Sequence, residues 1–445
     1  MDREYAAQLV KKLCSYTKYY AVVNIEGRNQ GVTRFANSEI SQNVNQSDVS
    51  VTLTLHDGKK EATCSTNVLD DDGLKKLASD TEAMLEVSPP GDFEYVPWRK
   101  STLRKIENDP EITRRYDAKG RVDAVKEGVS GHAAEYTAAG ALILEKKLSA
   151  YGNSESEADE VLFAELDNVQ FNTVITNSVT KADGSGESIS HRTDGLKIAE
   201  AFSQAKQRAV MGANPITLPG GEYTVVLTPQ ALGDLAFFVG WSLNAKRVAD
   251  GMSFASAGPE HIEAPNMGRN ISIYDDVNDP RVFPWYFDYE GFKRRPIPLV
   301  EKGDVKNLLH DTKTARLMKK GGKPSGHALT NKGMGGFARH MVVLGGYSTQ
   351  DEIIRGTERG LFISNFHYTN FVNPRSLQVT GLTRNGTFLI ENGKITNAVS
   401  TMRFTQNLLE AFNNVMAVSR ELTTVDAGGW AAVMPSVVIE GFAFP

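Results

Sequence analysis

The first 90 residues carry two hydrophobic periodicities, one helical and one strand-like. Apolar side chains of segment 2–15 fall on a single helical stripe, namely Tyr5, Leu9, Val10, Leu13 and Cys14. Such a stripe predicts an amphipathic helix packed on a core. Alternating apolar and polar residues then predict an antiparallel meander, with strands over residues 20–25, 32–35 and 49–55. A second helix is expected after an N-cap at Asp70 or Asp71.

The middle of the chain mixes linker, helix and strand signals. Prolines at positions 97 and 110 mark residues 92–110 as a linker. Glycine, serine and acidic residues within 181–195 predict a polar hairpin tip rather than a strand. Further helices are predicted at residues 118–136 and 196–210, and further strands at residues 141–149 and 169–178. Residues 215–221 are expected to join two domains.

The second half opens with a buried strand at residues 223–227, which leads through Pro229 into a mostly apolar helix predicted over residues 231–249. Helical patterns then become scarce. Short strands separated by turns such as Asn385-Gly386 and Asn392-Gly393 predict largely antiparallel β structure up to the C-terminus.

These patterns predict an α+β fold with an N-terminal antiparallel sheet, helices on one face of that sheet, and a C-terminal, largely antiparallel β domain. We divide the chain into an N-terminal α+β subdomain at 1–90, a middle segment at 91–220 that completes the N-terminal domain, and a C-terminal β-rich domain at 221–445.

Charge and cysteine content limit which binding partners and which cellular compartment we expect. The 445 residues carry a formal charge of −5 with mixed signs along the chain, so neither nucleic acid nor a membrane is an expected partner. Only Cys14 and Cys64 are present, which excludes a disulfide framework and a four-cysteine metal site. A start without a signal-peptide pattern, and no long apolar run, favour the cytoplasm.

Histidines offer a weak case for a metal enzyme. No two of the eight lie three to five residues apart, the spacing by which one helix presents two ligands. A site assembled from distant segments stays open as an alternative, with His327, His340, His367, Asp288 and Glu290 as its candidate residues. The basic run at 293–295 is predicted to be a solvated strand edge. The glycine-rich stretches at 321–323 and 333–336 are predicted to be flexible loops and not phosphate-binding loops.

Several short sequence segments resemble segments of the TldD/PmbA family of intracellular metalloproteases. Their order and spacing match the family over nearly the whole chain. They lie at residues 33–42, 287–291, 326–328, 351–354, 360–363 and 388–395. The resemblance implies that the chain belongs to one of two branches of the family. TldD-like chains carry His-Glu-x-x-x-His on the helix after the first C-terminal strand, with a cysteine near the C-terminus as third zinc ligand, whereas PmbA-like (TldE-like) chains pair with them without zinc.

This chain resembles the zinc-free branch. The six residues that correspond to the motif run from Phe237 to Ser242 and include no histidine or carboxylate. No histidine occurs between His191 and His261, and no cysteine follows Cys64. We therefore assign no catalytic, cofactor-binding or metal residues, and expect no cofactor. The apolar side chains of this helix are predicted to fill the space behind a former active site, namely Leu235, Phe237, Phe238 and Trp241.

The resemblance implies a zinc-free subunit, inactive alone, of a protease that degrades or matures peptides. Its partner would be a TldD-like zinc-bearing subunit, and its substrate an unfolded or small peptide. Two alternatives remain. One is a non-catalytic homodimer that binds a peptide or another ligand in the same shell. The other is an enzyme that uses the distant histidines. The family's association with control of DNA gyrase gains no support from a nucleic-acid motif or a basic face.

Overall fold

The computed structural model describes residues 1–91, 105–157, 160–257, 261–318, 322–329 and 333–445. Its helices are α1 (Arg3–Ser15), α2 (Asp71–Val87), α3 (Pro110–Arg115), α4 (Ala118–Val129), α5 (Ile198–Met211), α6 (Pro229–Ser242), α7 (Ala245–Ala249), α8 (Thr312–Met318), α9 (Gln350–Gly356) and α10 (Leu408–Asn413). Within these ranges, no helix is both long and apolar enough to cross a membrane.

Strands fall into an N-terminal and a C-terminal group. The N-terminal strands are β1 (Tyr20–Ala36), β2 (Glu39–His56), β3 (Glu61–Thr66), β4 (Tyr136–Asn153), β5 (Leu162–Asn177) and β6 (Asp183–Ser190). The C-terminal strands are β7 (Gly221–Leu227), β8 (Ser256–Ala257), β9 (Ile262–Glu263), β10 (Ile273–Asp275), β11 (Ile297–Glu301), β12 (Asp304–Val305), β13 (Met341–Val343), β14 (Arg359–Asn373), β15 (Gln378–Glu391), β16 (Lys394–Ala398), β17 (Arg403–Asn407), β18 (Val415–Val418), β19 (Thr423–Asp426), β20 (Ala431–Met434) and β21 (Val437–Phe444).

The N-terminal strands form one sheet in the order β3-β2-β1-β4-β5-β6, with every neighbouring pair antiparallel. Because side chains alternate across a strand, its two faces have different partners. Val23 on β1 packs in a core with residues of α1 and α2, whereas the adjacent Val22 packs with Phe287 from the second half of the chain. The predicted sheet with helices on one face is confirmed.

Local signals located α1 and α2 correctly, and the Asp70 carboxylate caps α2 by accepting from the Gly73 amide at 2.8 Å. The predicted helix at 118–136 was too long. It ends at Val129, and Gly131 follows with a positive φ of 74°. Residues from Tyr136 onwards belong to β4. The predicted linker at 92–110 lies mostly outside the described residues.

The polar hairpin tip predicted at 181–195 was wrong, because residues 183–190 form the edge strand β6 paired with β5. Its glycines serve close packing. A Cβ added at Gly184 would lie 2.6 Å from the Ala209 amide nitrogen, and one at Gly186 would lie 2.6 Å from the Ala201 carbonyl carbon. Helix α5 therefore lies directly on this strand, which a strand with larger side chains would prevent.

Two sheets dominate the second half. One has the order β16-β15-β14-β7-β21-β18, with β17 paired to β15; the other has the order β12-β11-β10-β13-β20-β19. Most neighbours are antiparallel, as predicted, and the described parallel pairs of these sheets are β14 with β7 and β13 with β20. Strands β8 and β9 form a separate short pair.

Helix α6 contributes to a core shared by both C-terminal sheets. Leu235 and Val239 are fully buried in that core, with Leu361 from one sheet and Val343 from the other. The single helix predicted at 231–249 is instead two, because the side chain of Asn244 caps a new helix by accepting from the Lys246 amide at 2.8 Å. The three-part division at 1–90, 91–220 and 221–445 stays a prediction.

Candidate functional site

Helix α6 starts where the sequence predicts, directly after the central strand β7. Thr228 caps the helix, with its hydroxyl oxygen accepting from the Ala231 amide at 3.3 Å, and Pro229 occupies the first turn. Apolar residues then occur on all sides, which is the pattern of a fully surrounded helix. The helix that carries the zinc motif in TldD-like chains is therefore a core element here.

The residues that correspond to that motif form an aromatic cluster. Phe237 and Trp241 stack with ring centroids 6.1 Å apart and planes 15° from parallel. Phe337 packs against both rings, at 5.7 and 5.3 Å. On the other side of the helix, Phe238 meets Phe371 edge to face at 4.8 Å. Phe238 is buried, whereas Phe237 and Trp241 are half-buried, so the aromatic cluster leaves two of its rings partly exposed.

These residues do not fit a zinc ion. Zinc needs nitrogen, sulfur or carboxylate donors near 2.0–2.3 Å, and the aromatic rings of Phe237, Phe238 and Trp241 have no such donor atom. The remaining polar side chain of the six, Ser242, is buried, and its hydroxyl has no hydrogen-bond partner among the described residues. No group of three or more histidine, cysteine, aspartate or glutamate residues in the described part of the chain is arranged to hold a metal.

A trio of acidic residues beside α6 was missed by the sequence analysis. Asp234 accepts from the Phe366 amide at 3.2 Å, and Glu187 accepts from the Asp426 amide at 3.4 Å. Burial, with the nearby charge of Asp426, raises the pKa of Asp234 to about 7 and that of Glu187 to about 8. Because Glu187 lies on β6 and Asp426 on β19, this trio links the two halves of the chain.

Two of the predicted histidines meet on a carboxylate that the sequence analysis did not select. His327 Nε2 and His340 Nδ1 both lie 3.2 Å from Asp275 Oδ1, and the His340 amide donates to Asp275 Oδ2 at 3.1 Å. All three residues are buried. Burial alone would raise the pKa of Asp275, but His327 and His340 outweigh it, so this pKa lies well below its usual value.

Both ring nitrogens of His327 have hydrogen-bond partners. Its Nδ1 lies 2.9 Å from the carbonyl oxygen of Ser325 and 3.2 Å from the Ser325 hydroxyl, while its Nε2 faces the Asp275 carboxylate. Burial lowers the pKa of His340, which suits a neutral ring that donates from Nδ1. The sequence did contain a signal for Asp275. It lies two residues from Ile273 and two from Val277, which are both buried, and residues two apart in an extended segment share a face.

Asp288 and Glu290, the predicted acidic candidates, also lie in this buried region. Asp288 accepts from the amides of Glu290, Phe292 and Ala328 at 2.9–3.0 Å, and so holds a tight turn. Glu290 accepts from the amide and hydroxyl of Thr312 at 2.8 and 2.7 Å. Burial raises the pKa of both carboxyls, and the neighbouring charge of Asp288 adds to the effect at Glu290.

The basic run at 293–295 was predicted to be a solvated strand edge, which is wrong for Arg294, although Lys293 and Arg295 are exposed. Arg294 is only 2% exposed, and its three guanidinium nitrogens have no hydrogen-bond partner among the described residues. Lys293 makes an isolated bridge to Phe287 and belongs to no longer strand. His367 lies apart from the buried histidines, because it is exposed on β14 and its Nε2 is 2.8 Å from Arg384 Nη1.

A cavity of about 300 Å³ adjoins this buried region, between the N-terminal sheet and the second half of the chain. Its lining includes four aromatic residues from the second half, namely Phe283, Trp285, Tyr289 and Trp430. Arg339 and His340 complete that side, and Arg28 and Lys147 lie on the opposite side. This combination of aromatic walls with a few charged groups is typical of a small-ligand site.

Comparison with known proteins was made at the level of both sequence and fold. The family model described as the PmbA/TldA metallopeptidase C-terminal domain matches residues 220–445. A metalloprotease of Methanocaldococcus jannaschii is 24% identical over 257 residues, which is 55% of this chain and 55% of that protein. The chain thus matches about half the length of this relative.

Two solved structures share the fold over almost the whole chain. TldE from Thermococcus kodakarensis superposes with a TM-score of 0.86 at 17% identity, covering 98% of this chain and 99% of that one. A candidate modulator of a DNA gyrase from Thermotoga maritima gives a TM-score of 0.83 at 19% identity, covering 99% of each chain. Because the family model matches just over half of the sequence, this chain belongs to the PmbA/TldD family.

Proposed function

We propose that this chain is a zinc-free, PmbA/TldE-like subunit of a TldD-type metalloprotease that degrades or matures peptides in the cytoplasm. The observation that carries the proposal is the aromatic cluster on α6. Phe237, Phe238 and Trp241 occupy the turn at which a TldD-like chain would present its zinc ligands, and they pack against Phe337 and Phe371.

The chemistry of peptide hydrolysis explains why a partner is needed. A catalytic zinc lowers the pKa of its bound water from 15.7 to about 7, and a nearby carboxylate takes the proton. Helix α6 offers no zinc ligand, and its carboxylate, Asp234, is held by the Phe366 amide. The proposed division of labour therefore leaves hydrolysis to the zinc-bearing partner, while this chain contributes the walls of the peptide chamber.

Similarity to TldE supports the choice of branch, and the two free cysteines are consistent with a reducing compartment. At 17% identity the likeness establishes the fold alone.

Mixing experiments test the proposal directly. The chain is co-expressed with a TldD-like protein from the same genome and examined by size-exclusion chromatography, then incubated with an unfolded peptide. We expect co-elution, and cleavage by the mixture that stops when a chelator is added. The matched control replaces the first histidine of the partner's zinc motif by alanine, which should abolish cleavage but preserve co-elution. Chelator-sensitive cleavage by this chain alone would refute the proposal.

A second candidate function is a homodimer that binds a peptide or another small ligand without cutting it. The cavity favours it, because one chain supplies the whole lining described above. The two functions differ in the oligomeric state of the isolated protein. A stable symmetric dimer that does not exchange for a TldD-like partner supports this second function, whereas a monomer that joins a TldD-like chain supports the first.

A further inference from the structure

The cavity described above has a cationic wall built around Arg339. The guanidinium carbon of Arg339 lies 4.2 Å from the ring centroid of Trp430 and 5.0 Å from that of Tyr289. Its Nε is buried and has no hydrogen-bond partner among the described residues. Arg339 also hydrogen-bonds with the Tyr289 hydroxyl, and its remaining N–H groups are those that a further acceptor can approach.

Arg294 adds a second positive charge next to this wall. Burial and the charge of Arg339 lower the pKa of Arg294 to about 10, and the charge of Arg294 in turn lowers the pKa of His340, which lines the cavity. Arg294 is therefore close enough to Arg339 and His340 for their charges to interact. The charges of Asp275 and Asp288 partly compensate that of Arg294, but its three guanidinium nitrogens have no hydrogen-bond partner among the described residues, which is unusual for a buried arginine.

The nearby carboxylates Asp275 and Asp288 stabilise the charge of Arg294 through space, but neither accepts a hydrogen bond from it. Arg28 and Lys147 form ion pairs with Glu145, which is itself buried. Glu26 accepts a hydrogen bond from the Tyr289 hydroxyl, on the N-terminal side of the cavity. Asp275 is occupied by His327 and His340, and Asp288 by three backbone amides. Among the described residues, the three guanidinium nitrogens of Arg294 and the Nε of Arg339 therefore have no hydrogen-bond acceptor.

We propose that this cavity binds a ligand with a free α-carboxylate, through Arg339 and with Arg294 supplying the second positive charge. A guanidinium pairs with a carboxylate by hydrogen bonds from its N–H groups, which suits the half-buried Arg339 in the cavity wall. Phe283, Trp285 and Trp430 supply an apolar surface for the body of the ligand. A volume of about 300 Å³ limits that body to the size of an amino acid or the last residues of a peptide.

This site is independent of the zinc-free pairing proposed above, because the described lining comes from one chain. Its α-carboxylate could belong to a free amino acid or to the C-terminus of a peptide. Comparison of phenylalanine, N-acetylphenylalanine and an acetylated tripeptide that ends in phenylalanine distinguishes the two sources, since a site for free amino acids also selects the ammonium group.

Calorimetric titration of the full-length chain with N-acetylphenylalanine and with N-acetylphenylalanine amide tests the proposal. We expect the acid to bind and the amide to bind at least about tenfold more weakly, because the amide lacks the charge. Arg339→Met should weaken binding of the acid by a similar factor. Arg355→Met on α9, at the surface of the second half, is the matched control and should leave binding unchanged.

Arg294→Met separates a ligand site from a structural arginine. If Arg294 contributes to binding an anion, Arg294→Met should keep or raise the melting temperature of the unliganded protein. The variant should also lose the increase in melting temperature that N-acetylphenylalanine causes in the wild type. A lower melting temperature in Arg294→Met with an unchanged ligand-induced rise would overturn the role of Arg294. Equal binding of acid and amide, binding of inorganic phosphate in place of the acid, or no binding of the acid would overturn the site.

Discussion

Gly428 packs against the ring of Phe237, so closely that an added Cβ would lie 2.5 Å from Phe237 Cδ2. This contact joins the turn between β19 and β20 to α6. In TldD-like chains the third zinc ligand is a cysteine near the C-terminus, and the contact shows which C-terminal segment meets α6 here. A phenylalanine ring of α6 and a glycine of the β19–β20 turn therefore meet.

Gly428→Ala should destabilise the protein by more than its neighbour Gly429→Ala. Both glycines have positive φ, 70° and 89°, so each variant incurs roughly 1–2 kcal/mol of backbone strain. Nothing lies within 4 Å of a Cβ at Gly429, whereas a Cβ at Gly428 overlaps Phe237 and should cost about 1–3 kcal/mol more. Urea unfolding of both variants measures the difference, and equal losses would contradict the close contact.

Glu187→Gln should flatten the dependence of stability on pH. The folded-state pKa of Glu187 is about 8 against an ordinary value of 4.5, so the folded protein retains a proton that the unfolded chain releases. Stability from this group is complete below about pH 4.5 and is lost as pH rises towards 8. At pH 9 we expect the glutamine variant to be more stable than the wild type by about 2 kcal/mol.

Asp234 also titrates within the pH range of Glu187, and Asp426 and Arg208 also face Glu187. The dependence of wild-type stability on pH therefore reflects all four residues. Glu200→Gln, at an exposed position of α5, is the matched control and should leave the slope unchanged. A Glu187→Gln curve parallel to the wild-type curve from pH 5 to 9, obtained by thermal unfolding, would show that Glu187 does not hold its proton.

Asp275→Asn should destabilise the protein by about 3–5 kcal/mol at pH 7, because it removes the buried carboxylate charge that both His327 and His340 contact. The pKa of Asp275 is lowered on folding, so its contribution is present above the unfolded-state pKa and is lost as pH falls below it. The gap between wild type and variant should therefore narrow in acid. Asp48→Asn, at an exposed position of β2, serves as the control; a constant gap would argue against this buried charge.

Metal content offers a test that does not depend on a substrate. We expect freshly purified chain to hold less than about 0.1 zinc per molecule, and a chelator to leave its melting temperature unchanged, because residues 237–242 of α6 offer no imidazole, thiolate or carboxylate. The two buried histidines already share Asp275. Stoichiometric zinc that disappears in His327→Ala or His340→Ala would instead establish a metal site built from distant segments.

Local patterns in the sequence determined the elements whose signals are local. The stripe over residues 2–15 and the cap at Asp70 depend on neighbours within one helical turn, so α1 and α2 were predicted correctly. The absence of histidine from α6 is likewise a property of the sequence alone. It determines the donor chemistry of that helix whatever the fold around it, and the family resemblance made that absence informative.

Tertiary structure decided the features that depend on distant contacts. Residues 183–190 have the composition of a turn, yet they form β6 because their glycines admit the backbone of α5. Arg294 has charged neighbours in sequence, yet it is buried beside Arg339 and His340. His327 and His340 are far apart for one helix, and the fold brings both to Asp275. Burial and electrostatic pairing arise from segments that only folding brings together. The sequence therefore predicted a helix α6 without histidine, but it did not predict the cationic cavity.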